Sequence, residues 1–142
     1  MGRVFWDASA VVPLVMEEKG SGAAGKIWLE ADPVWSWNWL PVEVDAALTR
    51  RRAGPSVWRN WRELESRLNW ISLAAEDYPS VRLMNRELGL RAADVGYVFL
   101  FERLSGHLDG LALATFDREM AAAVRSLGLQ VHPGCAGPLR EA

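Results

Sequence analysis

Four acidic residues lie where carboxylates are uncommon in a folded chain, at predicted strand ends or on apolar helix faces: Asp7, Glu43, Asp94 and Asp117. Clustered carboxylates repel one another and raise each other's pKa unless a divalent cation supplies compensating charge. An all-oxygen ligand set without Cys or paired His favours Mg²⁺ or Mn²⁺ over zinc. Such an ion commonly completes its shell with substrate phosphate oxygens and activates water for attack on phosphorus. Metal-dependent hydrolysis at phosphorus is therefore the chemistry to consider first.

The first and fourth acids occupy the same kind of position. Asp7 follows the strand-favouring run Val4–Trp6 and precedes an apolar stretch suited to a helix, and Asp117 follows the strand-like run Gly110–Thr115. In an open α/β sheet, ligands bind at the carboxyl edge of the strands. Asp is also a preferred helix N-cap, so a purely structural interpretation of Asp7 remains open when that residue is considered alone.

Glu43 lies in the first turn of a helix predicted from Pro41 to about Ala53. At 100° per residue it lies beside the apolar face that carries Val44. An acidic side chain there is costly unless a cation or a hydrogen-bond donor meets it. The structural alternative is a salt bridge, with Arg50 or Arg51 as candidate partner.

Asp94 repeats this anomaly on a helix predicted from Arg91 to about Gly106, which is apolar on most sides and is therefore expected to be buried. Asp94 shares a face with Tyr97 and Phe101. The alternative interpretation is that a first-turn Asp is simply favoured by the helix dipole. If the helices and strands converge, all four acids meet at one edge of the sheet.

The elements that must position these acids alternate along the chain, which predicts a parallel sheet with helices on both faces. The predicted strands are Val4–Trp6, Val34–Leu40, Trp70–Leu73, Gly110–Thr115 and Leu129–Val131. The predicted helices are Ala8–Met16, Ala23–Leu29, Pro41–Ala53, Val57–Leu68, Glu76–Leu88, Arg91–Gly106 and Arg118–Leu127. Gly89 is the expected C-cap of the fifth helix.

The tryptophans of Val34–Leu40 alternate with other residues at period two, which is typical of a strand with one strongly apolar face. We expect them in the core. Tryptophans can also stack bases or bind a partner helix, and Trp39, at the end of the run, is the one expected to be exposed.

Composition narrows the alternatives. The 142 residues suit one domain, and a net charge of −2 gives no general basic surface for nucleic acid. Apolar runs end well before the roughly 20 residues of a membrane span, and no signal-peptide pattern is present, so a cytoplasmic protein without a membrane association is expected. The lone Cys135 allows no intrachain disulfide. His107 and His132 are not placed as an acid–base pair.

Four segments resemble the acidic motifs of the PIN-domain family, in its VapC-type toxin branch, in the family's order and spacing. They are Val4-Phe5-Trp6-Asp7-Ala8-Ser9-Ala10, Pro41-Val42-Glu43-Val44, Leu90-Arg91-Ala92-Ala93-Asp94 and Ala114-Thr115-Phe116-Asp117-Arg118-Glu119-Met120. The resemblance implies one PIN-like domain over residues 1–142, with a tail from about 133 to 142. It also implies a three-layer α/β/α fold, here with a mainly parallel five-stranded sheet.

The same resemblance implies an Mg²⁺- or Mn²⁺-dependent endoribonuclease of a type II toxin–antitoxin pair, with RNA as substrate, a cognate antitoxin that occludes the site, and a homodimer. By this resemblance Asp7, Glu43, Asp94 and Asp117 are the catalytic and metal-binding acids. Ser9 and Thr115 match hydroxyl positions that would orient the carboxylates.

The chain departs from the family pattern at two places. Many family members carry a His three residues after the third Asp, where this chain has Tyr97, and Trp39 is bulkier than the small residue expected one helical turn before Glu43. We expect Tyr97 to replace an accessory contact rather than a ligand, and Trp39 to shape the substrate groove. Arg118 is a candidate contact for the RNA backbone.

Two other functions remain to be weighed. A phosphoacceptor or phosphatase with Asp7 as nucleophile would need a lysine late in the chain, and the last lysine is Lys26. The non-enzymatic alternative is a catalytically weak PIN-like module that binds RNA or protein through its Trp and Arg side chains.

Overall fold

The computed structural model describes residues 2–136. The strands are β1 (Gly2–Trp6), β2 (Ala31–Trp37), β3 (Asn69–Ile71) and β4 (Ala112–Ala114). The helices are α1 (Ala8–Val15), α2 (Ser21–Glu30), α3 (Leu40–Arg50), α4 (Pro55–Glu65), α5 (Tyr78–Leu88), α6 (Ala92–Ser105) and α7 (Arg118–Ser126). Short 3₁₀ turns cover Ala75–Asp77 and Pro133–Cys135. No helix in this described range is long and apolar enough to cross a membrane.

The strands form one parallel sheet in the order β3-β2-β1-β4. The central strand β1 pairs with β2 on one side and β4 on the other, and Trp6 stands opposite both Ser36 and Ala114. All four carboxyl ends therefore point to one edge. The residues that follow β1 and β4 leave the sheet side by side.

Helices cover both faces of the sheet, which gives the three-layer α/β/α fold expected from the sequence. Successive side chains of a strand point to opposite faces. Phe5 accordingly packs on Phe101 of α6, with ring centroids 5.9 Å apart, while Trp6 packs edge-on against Trp28 of α2 at 5.4 Å. Helices α2, α3 and α4 contact α1, and α5 and α7 contact α6. Both layers are thus built around a helix that begins beside an acidic residue.

The predicted fifth strand, Leu129–Val131, is wrong as a strand. Val131 makes only an isolated parallel bridge to Leu113, and the pairing does not extend to the neighbouring residues. The Leu113 N–H donates to the Gln130 carbonyl and the His132 N–H donates to the Leu113 carbonyl. The groups that would pair next are used by the turn that follows, since the His132 carbonyl accepts from the Cys135 N–H at 3.0 Å and the Gly134 N–H donates to His132 Nδ1 at 3.0 Å. Within residues 2–136 the sheet therefore has four strands. The predicted tail begins with the 3₁₀ turn Pro133–Cys135, and its residues from 137 onward lie outside the described range.

The second strand is also displaced from its predicted bounds. It begins at Ala31 rather than Val34, because β1 offers Gly2 as a pairing partner for Ala31. It ends at Trp37, and Leu40 already opens α3. Trp39 consequently lies in the turn between the two elements and is 44% exposed, as the sequence predicted for the end of this run.

A bidentate ion pair joins the start of α5 to α6. Asp77 accepts from Arg103 Nη2 at 2.6 Å and from Nη1 at 3.0 Å. These hydrogen bonds lower the pKa of Asp77 to about 2, which keeps the pair charged over the physiological range. The pair joins the segment before α5 to the last turn of α6, at the opposite end of that helix from Asp94.

Candidate active site

Asp7 lies at the point where β1 becomes α1, directly beside the end of β4. Its N–H donates to the Ala114 carbonyl at 3.2 Å, which continues the pairing of the two strands by one residue. Its carboxylate makes no capping hydrogen bond to α1, although Asp7 occupies the N-cap position. Instead, Asp7 Oδ1 accepts from Ser9 Oγ at 2.8 Å. The capping interpretation therefore does not account for this buried side chain, which is 4% exposed.

Asp117 does act as a helix cap. Its Oδ1 accepts from the Met120 N–H at 3.0 Å at the start of α7. The other oxygen, Oδ2, accepts from Arg91 Nη2 at 3.0 Å. One carboxylate therefore serves both the helix and the cluster of acids, and the cap fixes the direction of the oxygen that faces the cluster.

Asp94 is in the first turn of α6 and is 8% exposed. Burial raises its pKa, the nearby Asp117 and Glu119 carboxylates raise it further, and the Arg91 guanidinium opposes both effects. Arg91 Nε donates to Asp94 Oδ2 at 3.0 Å, so the same guanidinium joins Asp94 to Asp117. A side chain of this chain thus supplies one positive charge at the cluster.

Glu43 is held by a tyrosine. Tyr97 Oη donates to Glu43 Oε1 at 2.6 Å, from the face of α6 that also carries Asp94. Burial raises the pKa of Glu43, and this hydrogen bond lowers it in part. The alternative of a salt bridge from Glu43 to Arg50 or Arg51 is wrong. Arg51 pairs with Glu18, and the hydroxyl of Tyr97 donates a hydrogen bond to Glu43.

Two hydroxyls connect the first and fourth acids through the backbone that follows β4. Ser9 Oγ lies 3.2 Å from Thr115 Oγ1 and accepts from the Phe116 N–H at 2.9 Å. Thr115 Oγ1 in turn accepts from the Asp117 N–H at 3.1 Å. Ser9 therefore has its donor directed to Asp7 and its acceptor occupied by the neighbouring segment, which fixes the orientation of the Asp7 carboxylate.

The four acids form one electrostatic cluster. Burial raises the pKa of Asp7 to about 7, and the Asp117 and Asp94 carboxylates contribute to this rise while Ser9 and Thr115 oppose it. Asp94 likewise raises the pKa of Glu43. Each carboxylate thus interacts electrostatically with at least one other. A single cation placed among them would stabilise all four in their charged forms.

Comparisons with known proteins find relatives that match most of the chain. No family model matches the chain. Two curated relatives from Mycobacterium tuberculosis, Ribonuclease VapC45 of strain CDC 1551 / Oshkosh and Ribonuclease VapC49 of strain ATCC 25618 / H37Rv, are each 28% identical over 146 residues, covering 97% of this chain and 100% of the relative. Along almost its whole length the chain is thus similar to proteins named VapC ribonucleases.

Two solved structures share the fold at 19% identity. The crystal structure of PAE2754 from Pyrobaculum aerophilum has a TM-score of 0.66 and covers 98% of this chain and 88% of its own. That of Mycobacterium tuberculosis VapC20, described as a Sarcin-Ricin loop cleaving toxin, has a TM-score of 0.64 and covers 84% of this chain and 94% of its own. The described β3-β2-β1-β4 sheet is thus the core of a known fold.

A divalent cation suits the donor set of this VapC-type site, although the carboxylates are not yet arranged around one. Within residues 2–136, no three acidic, His or Cys side chains already surround a point where a metal could bind. Asp94 and Asp117 are turned to Arg91 instead. The raised pKa of Asp7 has burial as its largest cause, and a nearby cation would oppose that effect. The chemistry of the donors, all of them carboxylate oxygens, is that preferred by a hard cation.

Two contacts of the site are not evident from the sequence. Arg91 is one of many arginines, yet it joins two of the acids; its position three residues before Asp94, across the start of a helix, is the signal that could have found it. The hydrogen bond from Tyr97 to Glu43 is likewise not evident. The presence of a tyrosine where many family members carry a histidine does not by itself predict that bond. Arg118, the expected RNA contact, is exposed and makes no hydrogen bond or ion pair in the described part of the chain.

Proposed function

We propose that this VapC-type protein is a metal-dependent endoribonuclease and the toxin of a type II toxin–antitoxin pair. The observation that carries the proposal is the electrostatic coupling of Asp7 to Asp94 and Asp117, and of Glu43 to Asp94, in a chain that matches two proteins named ribonucleases along their whole length. The neighbouring acids that raise one another's pKa support a cationic ligand at this edge.

Asp7, Asp94, Glu43 and Asp117 would hold Mg²⁺ or Mn²⁺. When bound, the ion would supply charge stabilisation at a phosphodiester and lower the pKa of a water molecule. Ser9 and Thr115 would keep the Asp7 carboxylate in a fixed orientation, and Tyr97 would do the same for Glu43. Arg91, whose side chain is 77% exposed, can move from the acids to the negative charge of an RNA phosphate.

Two partners follow from the same proposal. A cognate antitoxin would cover the acidic cluster, and the chain would act as a homodimer. Co-expression with the product of an adjacent reading frame for a small DNA-binding protein tests the first. Sedimentation of the purified protein at several concentrations tests the second, with a constant monomer mass as the contradicting result.

One observation favours a second function. Because Arg91 already neutralises Asp94 and Asp117 in part, the cluster can exist without a metal, as it would in a catalytically weak module that binds RNA or protein. Metal binding to the folded state raises the melting temperature, so a shift at millimolar Mn²⁺ or Mg²⁺ favours the nuclease and no shift favours the module.

The reaction itself is tested with purified protein and RNA, both structured and unstructured. Cleavage should occur with Mg²⁺ or Mn²⁺, stop in EDTA and return when excess metal is added. Cleavage that persists in EDTA after exhaustive chelation would contradict the proposed metal dependence, and a lack of cleavage of any RNA in either metal would contradict the proposed reaction.

A further inference from the structure

An open aromatic groove of about 520 Å³ lies beside the acidic cluster. We call it the Trp39 groove. Its walls come from three elements that meet at the carboxyl edge of the sheet. The lining residues include Trp37 at the end of β2 and Trp39 in the turn that follows, Tyr78, Arg82 and Asn85 from α5, and Ala93 from the start of α6.

The aromatic side chains of the groove are exposed to an unusual degree. Trp39 is 44% exposed and Tyr78 is 53% exposed, although such side chains gain most by burial. Trp39 lies against Trp37, with ring centroids 6.1 Å apart and planes inclined by 34°. The partner ring restricts the tryptophan, so Trp39 presents a preformed flat surface rather than a freely rotating side chain.

The groove is continuous with the acids. Ala93 directly precedes Asp94, and Trp37 contacts Tyr97 edge-on with ring centroids 5.0 Å apart. Tyr97 donates to Glu43, so three side chains lead without interruption from the groove to the cluster. The groove and the acids are therefore connected by direct side-chain contacts.

The polar groups of the groove suit a nucleotide. Arg82 is exposed and has no carboxylate partner in the described range, which leaves its guanidinium free for a phosphate. Asn85 Oδ1 accepts from the Leu90 N–H at 2.8 Å, and its amide NH₂ makes no hydrogen bond within residues 2–136. A flat apolar surface with one guanidinium and one amide donor matches the face, phosphate and edge of an unpaired nucleotide.

We infer that the Trp39 groove binds one unpaired base of an RNA strand next to the phosphodiester at the acidic cluster, with Trp39 as the stacking surface. This inference rests on the proposed ribonuclease function and adds to it a requirement for single-stranded RNA at the cleaved bond. Stacking on an aromatic ring tolerates every base, so the groove selects for an unpaired nucleotide more than for its identity. A second copy of the chain and an antitoxin segment are the competing occupants.

The test measures binding without cleavage. A fluorescein-labelled single-stranded RNA of ten mixed nucleotides is titrated in EDTA with the protein, beside the same backbone built from abasic ribose units. Wild-type protein should bind the RNA about tenfold more tightly than the abasic strand. Trp39→Ala should remove most of that ratio, and Trp39→Phe, which retains an aromatic face, should keep it.

A matched control is available on the same sheet. Trp70, on the edge strand β3, is 37% exposed and does not line the groove, so Trp70→Ala should leave the ratio unchanged. Tyr78→Ala provides a second variant of the groove should Trp39→Ala fold poorly by circular dichroism, and it too should lower the ratio.

Three results would overturn the inference. The first is an RNA-to-abasic ratio that Trp39→Ala and Tyr78→Ala leave unchanged. The second is a dimer by sedimentation that Trp39→Ala converts to monomer, with the RNA ratio unchanged, which would assign the groove to a second copy. The third is that Trp39→Ala no longer binds a co-expressed antitoxin, again with the RNA-to-abasic ratio unchanged. Failure to cleave RNA, with the base-dependent ratio intact, would instead count against the proposed catalysis.

Discussion

Tyr97 Oη donates to Glu43 Oε1 at 2.6 Å and thereby ties helix α6 to helix α3 across the acidic cluster. The tyrosine stands where many family members carry a histidine, and its hydroxyl is directed at one of the four acids. Burial and the Glu43 carboxylate both raise the pKa of Tyr97, so its proton stays on the phenol and the hydrogen bond persists at any physiological pH.

Tyr97→Phe should retain the fold and weaken the site. The change removes the hydrogen bond that lowers the pKa of Glu43, so that pKa should rise further and metal binding should move to higher pH. Loss of a group that orients a metal ligand typically costs about tenfold or more in metal affinity. Calorimetric titration with Mn²⁺ at several pH values measures this, and unchanged affinity would show that Tyr97 does not position Glu43.

The metal-free protein should lose stability as the pH rises. Burial raises the pKa of Asp7 from 3.8 to about 7, so between about pH 4 and 7 the folded state binds more protons than the unfolded state. Stability therefore falls across this window and levels off above it. Each unit of pKa shift corresponds to about 1.4 kcal/mol.

Urea unfolding in EDTA from pH 4 to 8 measures this slope, and Asp7→Asn should flatten it and raise stability at pH 8. The Asp77–Arg103 pair cannot produce the effect, since the pKa of Asp77 is lowered to about 2 and its contribution is lost only in strong acid. A wild-type protein that is equally stable at pH 5 and pH 8 would contradict the prediction.

Arg91 should compete with a metal for Asp94 and Asp117. Arg91→Ala should lower metal-free stability by less than about 1 kcal/mol, because the Arg91 side chain is 77% exposed, and should increase the melting-temperature shift caused by Mn²⁺. Arg86→Ala is the control, since Arg86 is exposed on α5 and makes no ion pair in the described part of the chain. An equal or smaller Mn²⁺ shift in Arg91→Ala than in Arg86→Ala would refute competition.

Gly96 has a packing requirement that a larger residue cannot meet. A Cβ at this position would lie 2.6 Å from the six-membered ring of Trp37, which is rigid and braced against Tyr97. Gly96→Ala should therefore displace Trp37 and destabilise the protein by about 1 to 3 kcal/mol. Chemical denaturation measures the loss, with Gly25→Ala in α2 as the control because a Cβ added there would meet no neighbouring group within 4 Å.

Much of the fold follows from the sequence because strands and helices alternate with strong apolar patterns. Asp7 and Asp117 could be placed at the same edge of the sheet from the sequence, since parallel strands present their carboxyl ends at one edge, whereas the pairing of β1 with β4 comes from the structure. The fifth strand was not predictable from Leu129–Val131, because its extent depends on the turn after His132, which uses the backbone groups that would otherwise continue the pairing with β4. Likewise, β2 begins early only because β1 offers it a partner.

Within the site, sequence placed the acids and missed what they contact. The Glu43–Tyr97 bond joins residues 54 positions apart, and helical periodicity gives the face of each residue but not the partner across the interface. The two hydroxyls were placed by resemblance, and their hydrogen bonds to Asp7 and to the segment after β4 depend on tertiary contact. Side-chain direction, rather than secondary structure, marks the limit of what the sequence predicts.

RNA cleavage by Asp94→Asn measured against Asp109→Asn tests the proposed metal-dependent nuclease most directly. Both changes replace one carboxylate by an amide, but Asp109 is exposed and precedes β4, at the opposite edge of the sheet from the acids. With Mn²⁺ and a cleavable RNA, Asp109→Asn should match wild type. Asp94→Asn should fold, by circular dichroism, and show no cleavage above the EDTA background. A folded Asp94→Asn protein that cleaves as fast as Asp109→Asn would contradict the assignment of the acidic cluster as the active site.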